Sequence, residues 1–215
     1  LNEYLYYFYY REMALENILK AGITRGEVIR DVNRGMTEEL SHMDIEHDFD
    51  NCLRVFEKWY GMRENAYMAN ETGIKTGKPP FSFDIYEKDS GGYAGVALKY
   101  MYSELSGQES EMILCVPNQG AIPGLRDTDV VEITCTIRDG KYIPHKIDEP
   151  GELQMELIRR VKSYERYASQ ALRTNSRSKA VDCLMLHPLV NSYSLAQKLV
   201  SQYIESNKNY TEEWT

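Results

Sequence analysis

EMILCVPNQGAIPGLRDTDVVEITCTIRDGKYIP, residues 111–144, decides the fold. EMILCVP is short, apolar and β-prone, and DVVEITCTI is rich in β-branched residues, so both read as strands. NQGAIPGL between them is a turn-rich connection. RDGK carries Asp139-Gly140, the pair that closes a two-residue hairpin, and KYIP follows as a short third strand. The stretch predicts a small antiparallel sheet. Outward in both directions the chain turns helical. GGYAGVALKYMYSEL (91–105) reads as a buried helix with Ala94, Ala97, Leu98, Met101 and Leu105 on one stripe. After the sheet, Leu153, Leu157, Val161, Tyr164, Ala168 and Leu172 mark a long amphipathic helix. A shorter helix stops at Pro188, and a last one runs from about Ser194 to Asn207. Helices, then a small sheet, then helices give an α+β class, mostly helical.

The N-terminal part adds more helix. Asn2 is placed to cap a first helix with Leu5, Phe8, Leu15, Ile18 and Leu19 at helical spacing and Gly22 as its stop. Thr24 and Glu27 form a capping box for a second helix, which the sequence ends near Gly35. From about Thr37 to Glu71 the pattern is again helical, with an aromatic face of Phe56, Trp59, Tyr60 and Tyr67. NETGIKTGKPPFSFDIYEKDSGG (70–92) breaks it as a long loop, either a surface excursion or a cover over a site.

Composition excludes several function classes. The 215 residues carry a formal net charge of −8, which disfavours a nucleic-acid binder. Apolar runs are short and broken by charge, so no membrane span is expected. Cys52, Cys115, Cys135 and Cys183 have no zinc-type spacing and read as reduced, mostly packed thiols of a cytoplasmic protein. No GxGxxG, Walker, HExxH or GxSxG sequence occurs. SHMDIEHDFDN (41–51) gathers His42, Asp44, His47, Asp48 and Asp50 but fits no recognised metal spacing and reads as a solvated acidic turn. His187, before Pro188, is placed to satisfy the carbonyls of a helix end.

Two places read as more than scaffold. With Thr24 as cap, Arg25 lies at the first helical position beside free backbone N–H groups, and Gly26 leaves the backbone open. A guanidinium at a helix N-terminus suits a phosphate, although an exposed arginine beside an ordinary capping box has the same pattern. The other place is the opening, LNEYLYYFYY, where five of ten residues are tyrosine. Most of these rings pack, but Tyr4 sits in a first helical turn, where a tyrosinate is favoured. Tyrosine acts as a general base only if its pKa, about 10, drops by roughly 2–3 units, or about 3–4 kcal/mol. A helix end supplies at most about 2 kcal/mol, so the remainder needs a nearby cation.

These segments resemble glycoside hydrolase family 4. NEYLYYFYY (2–10) is similar to the family's N-x-Y-L-x-Y-Y segment, and TRGEVI (24–29) to its Thr-Arg segment. VPNQGAIPGLRDTDVVEI (116–133) matches V-P-N-N-G-A-I-x-x-L-x-x-D-x-x-V-E-I/V, with Gln119 where many members have Asn. VKSYERYASQAL (161–172) and LMLHPLVNSYSLAQKLVSQYIESNKNY (184–210) match its closing helices. The resemblance implies hydrolysis of 6-phosphoglycosides (phosphorylated disaccharides or glycosides) with NAD⁺ and a divalent metal, usually Mn²⁺. Hydride moves from C3 of the sugar to NAD⁺, a tyrosine removes the C2 proton, the leaving group departs from C1, water adds, and the hydride returns. That base falls on Tyr4 and the phosphate-gripping arginine on Arg25, and Asn118 is implied to face the sugar or cofactor.

The resemblance implies that residues 1–215 are a C-terminal substrate and oligomerisation domain, with the fold of the second half of lactate and malate dehydrogenases. The NAD-binding domain and the Cys and His metal ligands of the family precede this region, so no cofactor or metal residue is assigned here. The chain alone is expected to be inactive, to bind NAD⁺ weakly, and to assemble as a homo-oligomer. The competing expectation is a free-standing sugar-phosphate-binding or protein-interaction module without catalysis.

Overall fold

The computed structural model describes residues 3–74, 77, 80–82 and 92–215, with the backbone alone at residues 3 and 4. The expected cap Asn2, and residues 75, 76, 78, 79 and 83–91 of the expected loop, lie outside the described residues. The chain divides into two compact units, 1–87 and 88–215. No helix among the described residues is long and apolar enough to cross a membrane.

The first unit is helical: α1 (Glu3–Tyr9), α2 (Arg11–Ala21), α3 (Arg25–Ser41), α4 (Phe49–Asn65) and the single turn α5 (Ala69–Thr72). The sequence predicts one helix up to Gly22, but the backbone departs from helical geometry at Tyr10 (φ −119°, ψ 32°). The i→i−4 ladder still runs through the break, from the Tyr10 amide to the Tyr6 carbonyl at 2.8 Å and from Ala14 to Tyr10 at 2.9 Å. Gly22 ends α2 at φ 68°, its amide on the Ile18 carbonyl at 3.0 Å, a conformation that costs a Cβ-bearing residue. The buried face of α2 differs from the expected stripe. Ala14 is buried, whereas Leu15 and Leu19 are 50% and 70% exposed.

α3 does not end near Gly35 but continues six residues beyond it to Ser41. The glycine instead makes room for the neighbouring helix. A Cβ at Gly35 would stand 2.3 Å from Cη2 of Trp59 on α4. The indole is fixed there by its N–H donating to Glu39 Oε2 at 2.7 Å. Gly35→Ala gains up to about 1 kcal/mol of helix propensity. It forces the ring aside, however, at a typical overpacking cost of about 1–3 kcal/mol. The expected result is a lower melting temperature on thermal unfolding, and a rise would overturn this account of the glycine.

The second unit contains the sheet. α6 (Gly92–Ser106) precedes β1 (Ser110–Pro117), β2 (Val130–Arg138) and β3 (Lys141–Pro144), and α7 (Glu152–Arg173), α8 (Arg177–Leu186) and α9 (Tyr193–Asn207) follow. The strands are antiparallel in the order β1-β2-β3, with Leu114 opposite Ile133 and Arg138 opposite Lys141. Asp139 (φ 51°) and Gly140 (φ 68°) make the tight turn, both left-handed as a right-twisted hairpin requires. Alternate residues Val131, Ile133, Cys135 and Ile137 of β2 join Met112 and Val116 of β1 in one core. Val181, Val190, Ala196 and Val200 form another among the C-terminal helices.

The stripe of α6 is not buried as its periodicity predicts. Leu98 and Met101 are each 56% exposed and Leu105 89%. The helix buries Ser103, whose hydroxyl donates to the Gln108 carbonyl at 2.6 Å, and Lys99 donates to the Glu111 carbonyl at 2.7 Å. Periodicity identifies which residues share a face, but whether that face is covered depends on what packs against it.

Candidate functional site

Arg25 stands at the first position of α3. The capping box forms as its sequence predicts. The Thr24 hydroxyl accepts from the Glu27 amide at 3.3 Å, and the Thr24 amide donates to Glu27 Oε2 at 2.8 Å. The Thr24 amide first, and then the Thr24 hydroxyl, which also donates to Glu27 Oε2 at 2.8 Å, hold the Glu27 carboxyl below its usual range. Gly26 has open space around it, with Thr24 Oγ1 the nearest atom to a built Cβ at 3.9 Å. The Arg25 guanidinium lies over the Tyr67 ring, 4.6 Å from its centroid. Its Nη1 is buried and has no hydrogen-bond partner among the described residues. A buried bare donor is costly, and a site of this kind accepts an anion readily.

Residues that the sequence does not single out complete this neighbourhood. Glu71 on α5 is 2% exposed, and its Oε2 has no partner among the described residues. Its backbone carbonyl accepts from the Tyr6 hydroxyl at 3.2 Å and from the Asn17 side-chain amide at 2.9 Å. Asn70 donates to the Ile23 carbonyl at 3.1 Å, one residue before the Thr24 cap. The turn 70–71 therefore ties α1 and α2 to the entrance of α3. Burial first, and then the neighbouring Glu71, push the Tyr7 phenol far above its ordinary value, while the Arg25 charge pulls against them. No local motif marks Glu71, because its partners are 54 and 65 residues away in the chain.

Tyr4 lies in the first turn of α1, and its side chain is outside the described residues. Tyr6 and Tyr7 meet edge to face at 6.1 Å and Tyr6 and Tyr10 at 5.3 Å, so the rings after Tyr4 pack on one another.

Asn118, in the second unit, is fully buried. Its amide turns into its own loop, donating to the Ile122 carbonyl at 3.1 Å and accepting from the Ile122 amide at 2.7 Å. Gln119 (φ 46°) and Gly120 (φ 76°) follow in left-handed conformations. The geometry thus gives Asn118 the shaping of the loop, and its side chain is not presented outward. Asp129 closes the loop. It accepts from the Arg126 amide at 3.0 Å and pairs with Arg166 at 2.6 Å.

The remaining candidates have local partners. His47 meets Asp44 at 2.8 Å, His42 meets the Glu38 carbonyl at 2.7 Å, and the described residues contain no group of three or more His, Cys, Asp or Glu suited to a metal. His187 does not satisfy the last carbonyl of α8, which accepts from Arg160 at 3.0 Å. Its Nδ1 accepts from the Leu189 amide at 3.2 Å, and burial, with Arg160 beside it, lowers its pKa toward a neutral ring. All four cysteines are free. Three are buried, and burial pushes the Cys183 thiol up to about 11, whereas Cys115 is exposed.

Residues 1–190 match the family described as the family 4 glycosyl hydrolase C-terminal domain. The 6-phospho-beta-glucosidase BglT of Thermotoga maritima is 28% identical over 57% of this chain and 30% of its own length. A crystal structure of a 6-phospho-alpha-glucosidase from gut microorganisms, in complex with NAD and glucose-6-phosphate, is similar at a TM-score of 0.57. It shares 27% identity over 81% of this chain and 38% of its own length. The 6-phospho-beta glucosidase structure from Thermotoga maritima has a TM-score of 0.58 at 20% identity over 99% of this chain, which shows a shared fold. The chain spans 30% to 42% of the length of these proteins.

Proposed function

This chain belongs to the family 4 glycosyl hydrolases, whose C-terminal domain it carries, and on that premise we propose that it is the sugar-phosphate-binding part of a glycosidase acting on 6-phosphoglycosides. The observation that carries the reading is Arg25. It is a guanidinium at a capped helix N-terminus, backed by an aromatic face, with a buried donor that has no partner among the described residues. Such a group suits a phosphate monoester. The relatives named as 6-phospho-glucosidases point to the same ligand class.

In this reading Arg25 grips the 6-phosphate, Tyr4 takes the proton from C2 of the sugar, and Asn118 holds the shape of the 117–130 loop. NAD⁺ as hydride acceptor and a divalent metal such as Mn²⁺ would be held by an N-terminal nucleotide-binding domain. The greater length of the relatives supports this division of labour. The protein would be a cytoplasmic homo-oligomer, and this chain alone would not turn over substrate.

The test is Arg25→Met in the full-length protein, with a phosphorylated and an unphosphorylated glycoside compared. The expected result is a fall in kcat/KM of about 10²-fold for the phosphorylated substrate, the worth of a charge-assisted contact of about 3 kcal/mol. The unphosphorylated substrate should change little. Equal losses on both substrates would overturn the assignment.

A further inference from the structure

A carboxylate holds an arginine by occupying its N–H donors and cancelling its charge. An aromatic ring holds the same cation through its quadrupole and leaves both free. Arg25 has the second kind of neighbour. The carbon of its guanidinium lies 4.6 Å from the centroid of the Tyr67 ring, and its Nη1 is buried without a hydrogen-bond partner among the described residues. The segment that carries the ring is fastened to the same place. Asn70, three residues on, donates to the Ile23 carbonyl at 3.1 Å, next to the Thr24 cap. Between Tyr67 and Asn70 the backbone turns through Met68, which is left-handed at φ 59° and ψ 5°. A side chain with a Cβ rarely adopts that conformation, and such strain collects at ligand sites.

We propose that Tyr67 is a positioning residue that holds the Arg25 guanidinium in place for a phosphate monoester without engaging its N–H groups. The inference rests on the reading of Arg25 as the phosphate-binding group. An arginine side chain with nothing to hold it has many rotamers, and a ligand that must order them binds less tightly. The ring orders the side chain before the ligand arrives. Its loss falls on binding and leaves the chemical step alone, because a 6-phosphate is remote from the sugar carbons that react.

The experiment uses the full-length protein as wild type, Tyr67→Phe, Tyr67→Leu, Arg25→Met and the double variant of Arg25→Met with Tyr67→Leu. It measures KM and kcat for a 6-phosphoglycoside and the Kd of glucose 6-phosphate by calorimetry. Tyr67→Leu should raise KM and Kd about tenfold, within the range of a partly desolvated cation–π contact, with kcat within about twofold of wild type. Tyr67→Phe keeps the ring and should stay within about threefold of wild type. With Arg25→Met in place, Tyr67→Leu should change Kd by less than about twofold, since the contact it removes is already gone.

A general packing role predicts otherwise. Tyr67→Leu would then weaken binding equally with and without Arg25, and that outcome overturns the proposal. So does unchanged affinity in Tyr67→Leu, or a loss in Tyr67→Phe as large as in Tyr67→Leu. If Tyr67→Leu fails to fold, pentafluorophenylalanine in place of Tyr67 decides the matter. It keeps the shape of the ring and reverses its quadrupole, so weaker binding of glucose 6-phosphate is expected and wild-type affinity overturns the proposal. Arg25→Met separates the two levels. If it keeps wild-type affinity for glucose 6-phosphate, the phosphate reading falls and the role of Tyr67 with it. If it loses affinity while Tyr67→Leu does not, only the role of Tyr67 falls.

Discussion

Tyr4→Phe in the full-length protein is expected to lower kcat by about 10²–10⁴-fold, the usual contribution of a positioned general base. Exchange of the substrate's C2 proton with solvent should stop with it. The substitution removes one oxygen and keeps the ring, so the folded protein can be assayed. α1 is only seven residues long. A short helix gives a tyrosinate little help, and the dipole contribution of about 0.3–1 kcal/mol falls well short of the roughly 3–4 kcal/mol needed to work near pH 7.5. A base at Tyr4 would therefore need a cation supplied from outside α1. Exchange at the wild-type rate in Tyr4→Phe would remove the residue from the chemistry.

The largest effect on stability is expected at Asp129. Its side chain is 4% exposed, pairs with Arg166 at 2.6 Å and caps the Arg126 amide at 3.0 Å. Asp129→Ala leaves the Arg166 guanidinium without its anion and a loop amide without its acceptor. Removing one partner of a buried pair costs about 3–5 kcal/mol, and the 28% exposure of Arg166 places this case near the lower end. The melting temperature should fall by roughly 10 °C, at about 2–4 °C per kcal/mol.

The pH dependence carries a second signature. Burial, the largest influence on the Asp129 carboxyl, pushes its pKa up, but the hydrogen bonds from Arg166 and Arg126 outweigh it and leave the group below its usual value. A lowered carboxyl pKa gives stability that is present above the unfolded value of about 3.9 and is lost as pH falls through the folded value. Wild type should therefore lose stability steeply below about pH 4, and Asp129→Ala should lose less over the same range. Identical acid limbs in chemical denaturation would show that the pair contributes nothing.

Local grammar made much of the fold legible. β-branched runs and Asp139-Gly140 specify the hairpin, because strand propensity and turn type depend on neighbours in sequence. Thr24 and Glu27 announced the start of α3 for the same reason. Gly35 misled, since its cost to a helix is local while its benefit comes from Trp59, which lies on another element. The α6 stripe misled in a related way. Its spacing is helical and apolar, yet Leu105 is 89% exposed.

At the candidate site the division is the same. Arg25 was visible because the Thr24–Glu27 capping box places it at the first helical position, a signal contained in neighbouring residues. Glu71, Asn17 and Tyr7 were not, because each draws its meaning from partners far along the chain. The sequence by itself determined the element types, the hairpin, the capped N-terminus that places Arg25, and the family to which these motifs belong. Only the tertiary structure decided which faces are covered, that Asn118 turns inward to its loop, and that Arg25 shares its neighbourhood with a buried carboxylate. The physical reason is that backbone geometry follows from short-range sterics and hydrogen bonds, whereas burial and charge pairing are set by whatever the folded chain brings alongside.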